Sequence, residues 1–308
     1  MGLFGPPDVA KLRAQKDVPG LVKALAYKGD GQVRLGAANA LIEFRDARSL
    51  GPLVDALRDP DWQVRGAAAE ALGAIGDARA IEPLLGTLKV KDSEQLVIWS
   101  VVRAVRDIRD PRAVEPLVAA LGDSDPNVRS CAARALGDHG NPLAVEVLCA
   151  ALGDSDRSVR MAAAKALGEI RSPLAVDALG AALGDSESDV RSLVAEALGA
   201  IGDPRGVETL AGALGDSDYH VRREAAEALG AIGDPRAIEA FIAALEDSDP
   251  GVRKRAVEPL IVFLNNPDRD ESEHQVIATA LEKSGIPPDQ WHATSTPRPA
   301  APPAGPTD

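Results

Sequence analysis

The residues best equipped for chemistry are four histidines, two cysteines and a recurring pair of carboxylates. His139, His220, His274 and His292 stand in separate segments, and none is followed by Glu. A metal centre needs several ligands converging on one point, and a general base must sit within reach of the proton it takes. Dispersed imidazoles supply neither. Asp-Ser-Asp occurs at residues 123–125, 154–156 and 216–218. Paired carboxylates can perform acid–base work or bind calcium, but a calcium loop requires a glycine and a distal Glu at fixed spacing. Asp185-Ser186-Glu187-Ser188-Asp189 comes nearest, and Val190 occupies the glycine position. A motif found in many units also argues against an active site, which occurs once. Cys131 and Cys149 lie among apolar positions with no C-x-x-C motif, as expected of reduced core thiols. No G-x-S-x-G or phosphate-binding loop is present, and Gly199-Ala200-Ile201-Gly202 reads as turn chemistry. These residues predict no catalytic group, no metal and no cofactor.

The elements that would position any site are apolar and small. Of 308 residues, 45% are hydrophobic but only 3% aromatic, so the core must be built from Ala, Leu, Val and Ile. The formal net charge of −13 opposes nucleic acid and anionic membranes, both of which favour a basic face. Met1 to Asp8 lacks the apolar core of a signal peptide, and Pro6 stands where a myristoylation signal needs Ser or Thr. No apolar run approaches the length of a membrane span. A cytoplasmic protein is the expectation.

Self-similarity organises the chain. A Val-Arg pair recurs at Val33, Val64, Val128, Val159, Val190, Val221 and Val252, with Val97 as a degenerate eighth member. From Val97 onward the interval is constant at 31 residues, and two extra residues near Lys89-Val90-Lys91 lengthen the preceding one. Within a unit, Asp110, Asn141, Ser172, Asp203 and Asp234 precede Pro as helix N-caps. Asp125 and Asp249 cap the second helix in the same way. Gly137, Gly168, Gly199 and Gly230 are expected to close that helix in a left-handed conformation. Each unit is therefore a pair of helices of about 11 residues. On the second helix Val221, Ala225, Ala228, Leu229 and Ile232 share one face, the buried stripe. Such a hairpin cannot cover its stripe alone and must stack on its neighbours. Pro52, Pro83 and Pro116 fall inside first helices and are expected to bend them.

The unit Asp-Pro-Arg-Ala-Val-Glu-Pro-Leu, continuing Asp-Ser-Asp-Pro-Asn-Val-Arg and ending Ala-Leu-Gly, resembles a HEAT repeat. It is most similar to the short repeats of phycobilin lyases and many bacterial proteins. The resemblance covers roughly residues 18–264 and implies an all-α solenoid of about eight helical hairpins, with second helices on the concave side. It further implies that Asp30, Asp61, Asp125, Asp156, Asp218 and Asp249 form an inter-repeat polar ladder with Arg34, Arg65, Arg129, Arg160, Arg191, Arg222 and Arg253. HEAT-type deoxyhypusine hydroxylases bind iron through His-Glu pairs, which this sequence lacks.

The expected organisation is an N-terminal capping segment (1–17), the repeat array (18–264), a capping helix (265–285) and a disordered Pro-rich tail (286–308). The capping helix should open at the capping box Ser272-Glu273-His274-Gln275 and run to about Lys283. Trp291-His292 in the tail is a candidate docking motif. The third unit is irregular: Ile98 replaces the ladder Arg, Arg106 the closing Gly and Glu94 the capping Asp. Its helix from Val97 to Val105 is apolar nearly all round.

Positions opposite the buried stripe should form an exposed ridge. They include Trp62, Trp99, Arg103, Arg134, Met161, Lys165, Tyr219 and Arg223, residue types enriched at interface centres. Charge segregates along one ridge column, from Arg103, Arg134 and Lys165 to Glu196, Glu227 and Glu258. These features point to a non-catalytic scaffold that binds a protein partner through those eight residues, with no nucleic acid and no membrane involved. A phycobilin lyase-like protein and a HEAT-like DNA glycosylase are the alternatives. The sequence leaves the oligomeric state open.

Overall fold

The computed structural model describes residues 6–88, 94–268 and 270–291, apart from the side chain of Gln95. Among these residues every regular element is helical. Two compact units follow each other along the chain, Met1–Ile201 and Gly202–Asp308.

The first unit opens with α1 (Val9–Ala14), whose Val9 approaches Gly36. Hairpins follow, each a first and a second helix: α2 (Val18–Leu25) with α3 (Gly31–Phe44), α4 (Leu50–Ala56) with α5 (Trp62–Ile75), and α6 (Ile81–Leu88) with α7 (Gln95–Asp107). Then come α8 (Val114–Ala120) with α9 (Pro126–His139), α10 (Val145–Ala151) with α11 (Arg157–Ile170), and α12 (Val176–Ala182) with α13 (Ser188–Ile201). The second unit contains α14 (Val207–Ala213) with α15 (Tyr219–Ile232), α16 (Ile238–Ala244) with α17 (Pro250–Leu264), and α18 (Glu271–Lys283).

The stripe read from periodicity lies in the core except at its end, where Ile232 is half-buried. Val221, Ala225 and Leu229 are fully buried, as are Val128, Ala132, Ala135 and Leu136 on α9. The first helix differs from expectation. From the second hairpin onward it begins with a three-residue 3-10 turn, such as Pro111–Ala113 before α8. Pro52, Pro83 and Pro116 are each the third residue of the α segment that follows. There the backbone N–H lacks a partner in any case, so Pro costs little. The same break occurs before α10, α12 and α14, which have no Pro at that place. The break in the first helix is therefore a property of the turn and not of these prolines.

The Asp-Ser-Asp motif divides its labour. The second Asp caps its helix: Asp125 Oδ1 accepts from Asn127 N at 2.8 Å, and Asp156 Oδ1 from Ser158 N at 2.8 Å. The first Asp receives the ladder arginine of the preceding repeat. Arg129 reaches Asp154 at 2.7 and 2.8 Å, Arg160 reaches Asp185 at 2.6 and 3.0 Å, and Arg222 reaches Asp247 at 2.7 and 3.0 Å. Arg34 meets Asp59 in the same manner. Each guanidinium also donates backward to a carbonyl of its own turn, as Arg129 does to Asp123 O. Asp59, Asp154, Asp185 and Asp247 thus accept ladder bonds, each two residues before the cap position of a second helix, at Asp61, Asp156, Glu187 and Asp249; the expected acceptors were the capping Asp residues themselves.

The glycines expected to close the second helices lie inside them. Gly140, Gly202 and Gly233 take the left-handed conformation instead, and Arg45 and Arg171 take it at two other ends. The helix-interior glycines answer a different need. A Cβ on Gly73 would lie 2.7 Å from Ala104 Cα, one on Gly137 2.7 Å from Ala166 Cα, and one on Gly168 3.0 Å from Ala197 Cα. Glycine here allows successive second helices to touch backbone against alanine. In the second unit Gly230 meets the ring of Pro259.

In that unit the final helix is capped by Asp270, whose Oδ1 accepts from Glu273 N at 2.8 Å, rather than by Ser272. Ile277 and Leu281 of α18 are fully buried. The expected tail retains order at its start: Pro288–Gln290 form a 3-10 turn, and half-buried Trp291 donates from Nε1 to Ile286 O at 3.1 Å. Asn265 holds the Trp291 carbonyl at 2.8 Å. His292 and residues 293–308 lie outside the described residues.

Candidate functional site

The irregular third hairpin shapes the site. Arg106 stands where α5, α9, α11, α13 and α15 carry the interior glycine, and Ile98 stands where every other second helix carries the ladder arginine. The close approach and the Arg–Asp rung are therefore both missing between α7 and α9. An exposed pair replaces them: Arg106 forks onto Asp138, with Nη2 at 3.0 Å from Oδ1. Arg109 Nη1 adds a bond to Asp138 O at 2.6 Å. The hydrogen bond to Asp138 raises the Arg106 pKa above its ordinary value. Glu94 precedes α7 but makes no capping bond.

A groove of about 930 Å³ lies on this part of the first unit. Its lining comes entirely from second helices, α3, α5, α7, α9 and α11. Trp62 and Trp99 supply the aromatic surface, 36% and 68% exposed, and Leu96 beside them is 61% exposed. Ile98 and Val102 add aliphatic surface, while Arg103, Arg106 and Arg134 supply positive charge against the single lining carboxylate of Glu70. Glu70 lies 2.6 Å from Arg103 Nη2 and accepts from Ser100 Oγ at 3.2 Å. A second hollow of about 750 Å³, edged by Arg45, Asp107, Arg109 and Asp110, shares Glu70 and Arg103 with the first.

Four of the eight ridge residues are brought together here: Trp62, Trp99, Arg103 and Arg134. Met161 and Lys165 are on α11 of the same unit but do not line the groove; Lys165 is exposed and Met161 half-buried. Tyr219 and Arg223 belong to the second unit. Tyr219 is 44% exposed and stacks beside His220, with ring centroids 3.9 Å apart. Arg223 departs from the expectation of a free ridge residue. Its Nε is buried without a hydrogen-bond partner, and a Cβ on Gly251 would lie 3.0 Å from its Cδ. The small residue at Gly251 lets the arginine stem lie flat.

Sequence reasoning missed Arg106 and Leu96 as lining residues. The substitution of Gly by Arg was the available signal for the first. For Leu96 the column rule gave none. Exposed Leu143 and Leu174 also passed unnoticed. They follow Asn141 and Ser172 in turns where other repeats place an Arg that folds onto its capping Asp, as Arg112 does onto Asp110.

Cys131 lines the groove but is buried, and burial pushes its thiol up to about 12. His139 at the end of α9 has its pKa lowered, chiefly by burial, and its Nε2 has no partner. Among the described residues no three His, Cys, Asp or Glu side chains are grouped to hold a metal ion, and no helix is long and apolar enough to cross a membrane.

The HEAT-repeat family model matches residues 18–95, 88–159, 132–199 and 176–261. The chain belongs to the HEAT-repeat family. Among solved structures, Kap95p bound to RanGDP is similar at 16% identity, with 87% of this chain and 43% of that chain covered and a TM-score of 0.62. This HEAT protein thus shares the fold over under half of the Kap95p chain. An engineered protein is 26% identical over 91% of both chains, with a TM-score of 0.48. The CpcE–CpcF complex of phycocyanin lyase from Nostoc sp. PCC7120 is 22% identical, covering 76% of this chain and 94% of that one, with a TM-score of 0.42. No curated protein matches the sequence.

Proposed function

We propose that this HEAT array is a non-catalytic scaffold that holds a protein partner in the groove of its first unit. The observation that carries the reading is the exposure of Trp62 and Trp99 beside three arginines, at the seam where the repeat pattern is broken. Large aromatic and guanidinium groups are the side chains that concentrate binding energy at interfaces. Leaving two indoles and a leucine in water offers the isolated fold nothing, whereas covering them releases about 25 cal/mol per Å² of apolar surface. Met161 and Lys165 extend the contact along α11 in this proposal. Kap95p, which shares the fold, binds RanGDP, so a protein cargo is within the reach of such architecture.

The test is a photo-crosslinking amino acid introduced at Ser130 in the groove and, separately, at exposed Glu115 on the first helix α8, in full-length protein in its native cell. The expected result is one protein adduct from position 130 that disappears with Trp99→Ala, and none from position 115. No adduct at 130, or equal adducts at both positions, overturns the scaffold reading.

A further inference from the structure

The groove inverts the charge of the molecule. The chain carries a formal −13, yet the groove wall presents Arg103, Arg106 and Arg134 against Glu70 alone. Two of these arginines are engaged, Arg103 with Glu70 and Arg106 with Asp138. Arg134 is exposed and forms no ion pair among the described residues. The Glu70 carboxylate sits in a ready-made cradle of the Arg103 guanidinium and the Ser100 hydroxyl. Their side chains are 60% and 35% exposed for Arg103 and Glu70, so this is a surface ion pair, weakly held and readily exchanged.

Resting on the reading of the groove as a partner site, we propose that the partner is an acidic protein segment with an aliphatic residue at its centre, and that Glu70 is a built-in placeholder for one of its carboxylates. The aliphatic side chain lies against Trp62, Leu96 and Trp99. One flanking carboxylate takes the Arg103–Ser100 cradle as Glu70 swings out, and another meets Arg134. A basic segment would face three guanidinium groups and is rejected by like charge. Nucleic acid fits less well. Its affinity comes from neutralising many phosphates, and three arginines in a strongly acidic chain supply few contacts. The aliphatic lining of Leu96, Ile98 and Val102 suits an aliphatic side chain better than a base.

The experiment measures fluorescence anisotropy of labelled 14-residue probes on the full-length protein. The probes are an acidic peptide of Glu and Asp around two central Leu, its Lys counterpart, a Ser/Gln counterpart with the same Leu pair, and oligothymidine. Trp emission is followed alongside. The acidic peptide is expected to bind saturably, at least about tenfold tighter than the neutral peptide and tighter still than the Lys peptide. Trp99→Ala and Arg134→Ala each weaken it roughly tenfold. Glu70→Gln, which keeps the shape and removes the competing charge, tightens it about two- to fivefold. Equal or better binding of the Lys peptide, the neutral peptide or oligothymidine overturns the proposal, as does an unchanged affinity in Glu70→Gln. Absence of all binding also overturns it. The crosslinking result then decides separately whether the groove holds a protein at all.

Discussion

Gly137 of α9 faces Ala166 of α11 so closely that a Cβ on the glycine would lie 2.7 Å from the alanine Cα. The neighbour on that side is backbone, which cannot rotate away. Gly137→Ala is expected to cost about 1–3 kcal/mol through overpacking. Gly86 on α6 is exposed and nothing lies within 4 Å of its Cβ position, so Gly86→Ala should gain about 0.5–1 kcal/mol. Urea denaturation of the two variants checks the opposite signs. Equal effects would mean that close approach plays no part.

The ladder predicts a context-dependent loss. The side chains of Arg129 and Asp154 are 13% and 14% exposed. Arg129→Ala leaves the carboxylate nearly buried without its cation, at a cost of about 3 kcal/mol. Asp154→Asn keeps an acceptor for Asp156 N while removing the charge. Combined with Arg129→Ala it should cost less than the sum of the single changes, with a coupling of about 0.5–3 kcal/mol. A double-mutant cycle by denaturation measures this, and strict additivity would refute the ladder's energetic role.

Acid stability follows from the same pairs. Hydrogen bonds from Arg129 and Arg222 are the leading cause that holds Asp154 and Asp247 below the usual carboxylate range. Their unfolded values are about 3.9, so the stabilisation is complete above that pH. It is lost as pH falls from there through the folded values. Melting temperature is expected to be flat from pH 7 to about 5 and to drop steeply below about 4. Arg129→Gln should flatten part of that drop. A melting temperature constant down to pH 3 would contradict the assignment.

Cys131 is a silent reporter of the core. Burial disfavours its thiolate, so a neutral-pH thiol reagent should leave it unmodified in the folded protein and label it on unfolding. Half-buried Cys149 should react sooner. Mass spectrometry of timed aliquots distinguishes the two, and rapid native labelling of Cys131 would show that the wall of the groove opens.

Trp99 and Arg103 should separate binding from folding. Both side chains are exposed, so replacing them with alanine is expected to shift stability by no more than about 0.5 kcal/mol. Partner capture should nevertheless fall sharply. Thermal melts paired with crosslinking yield test this, and a collapse of the melt would place these residues in the fold rather than the site.

The fold was legible because the period, the buried stripe and the helix caps all report local constraints that a one-dimensional pattern carries. What stayed hidden was the pairing between repeats. In Asp-Ser-Asp both carboxylates look alike in sequence. Only the stacking shows that Asp125 serves its own helix while Asp154 serves the arginine of the repeat before. The interior glycines were read as helix ends because left-handed termini favour glycine, whereas Gly137 and Gly168 are small to let α11 and α13 come near. For the site, the column of exposed positions named Trp62, Trp99, Arg103 and Arg134, four residues that line one groove. It gave no sign that the stem of half-buried Arg223 lies over a glycine of the next helix, a relationship between residues that no single-helix wheel contains.

The exchange of glycine for Arg106 changes the kind of force that closes one seam. Backbone-to-alanine contact is short-ranged and indifferent to dissolved ions. The exposed fork from Arg106 to Asp138 is screened by electrolyte. Raising ionic strength is expected to weaken this electrostatic part of the α7–α9 seam, whereas the glycine-to-alanine contacts of Gly137 with Ala166 and of Gly168 with Ala197 do not depend on it. Trp99 and Arg134 stand on the two helices of that seam, so the width of the groove mouth between them is expected to depend in part on the surrounding medium.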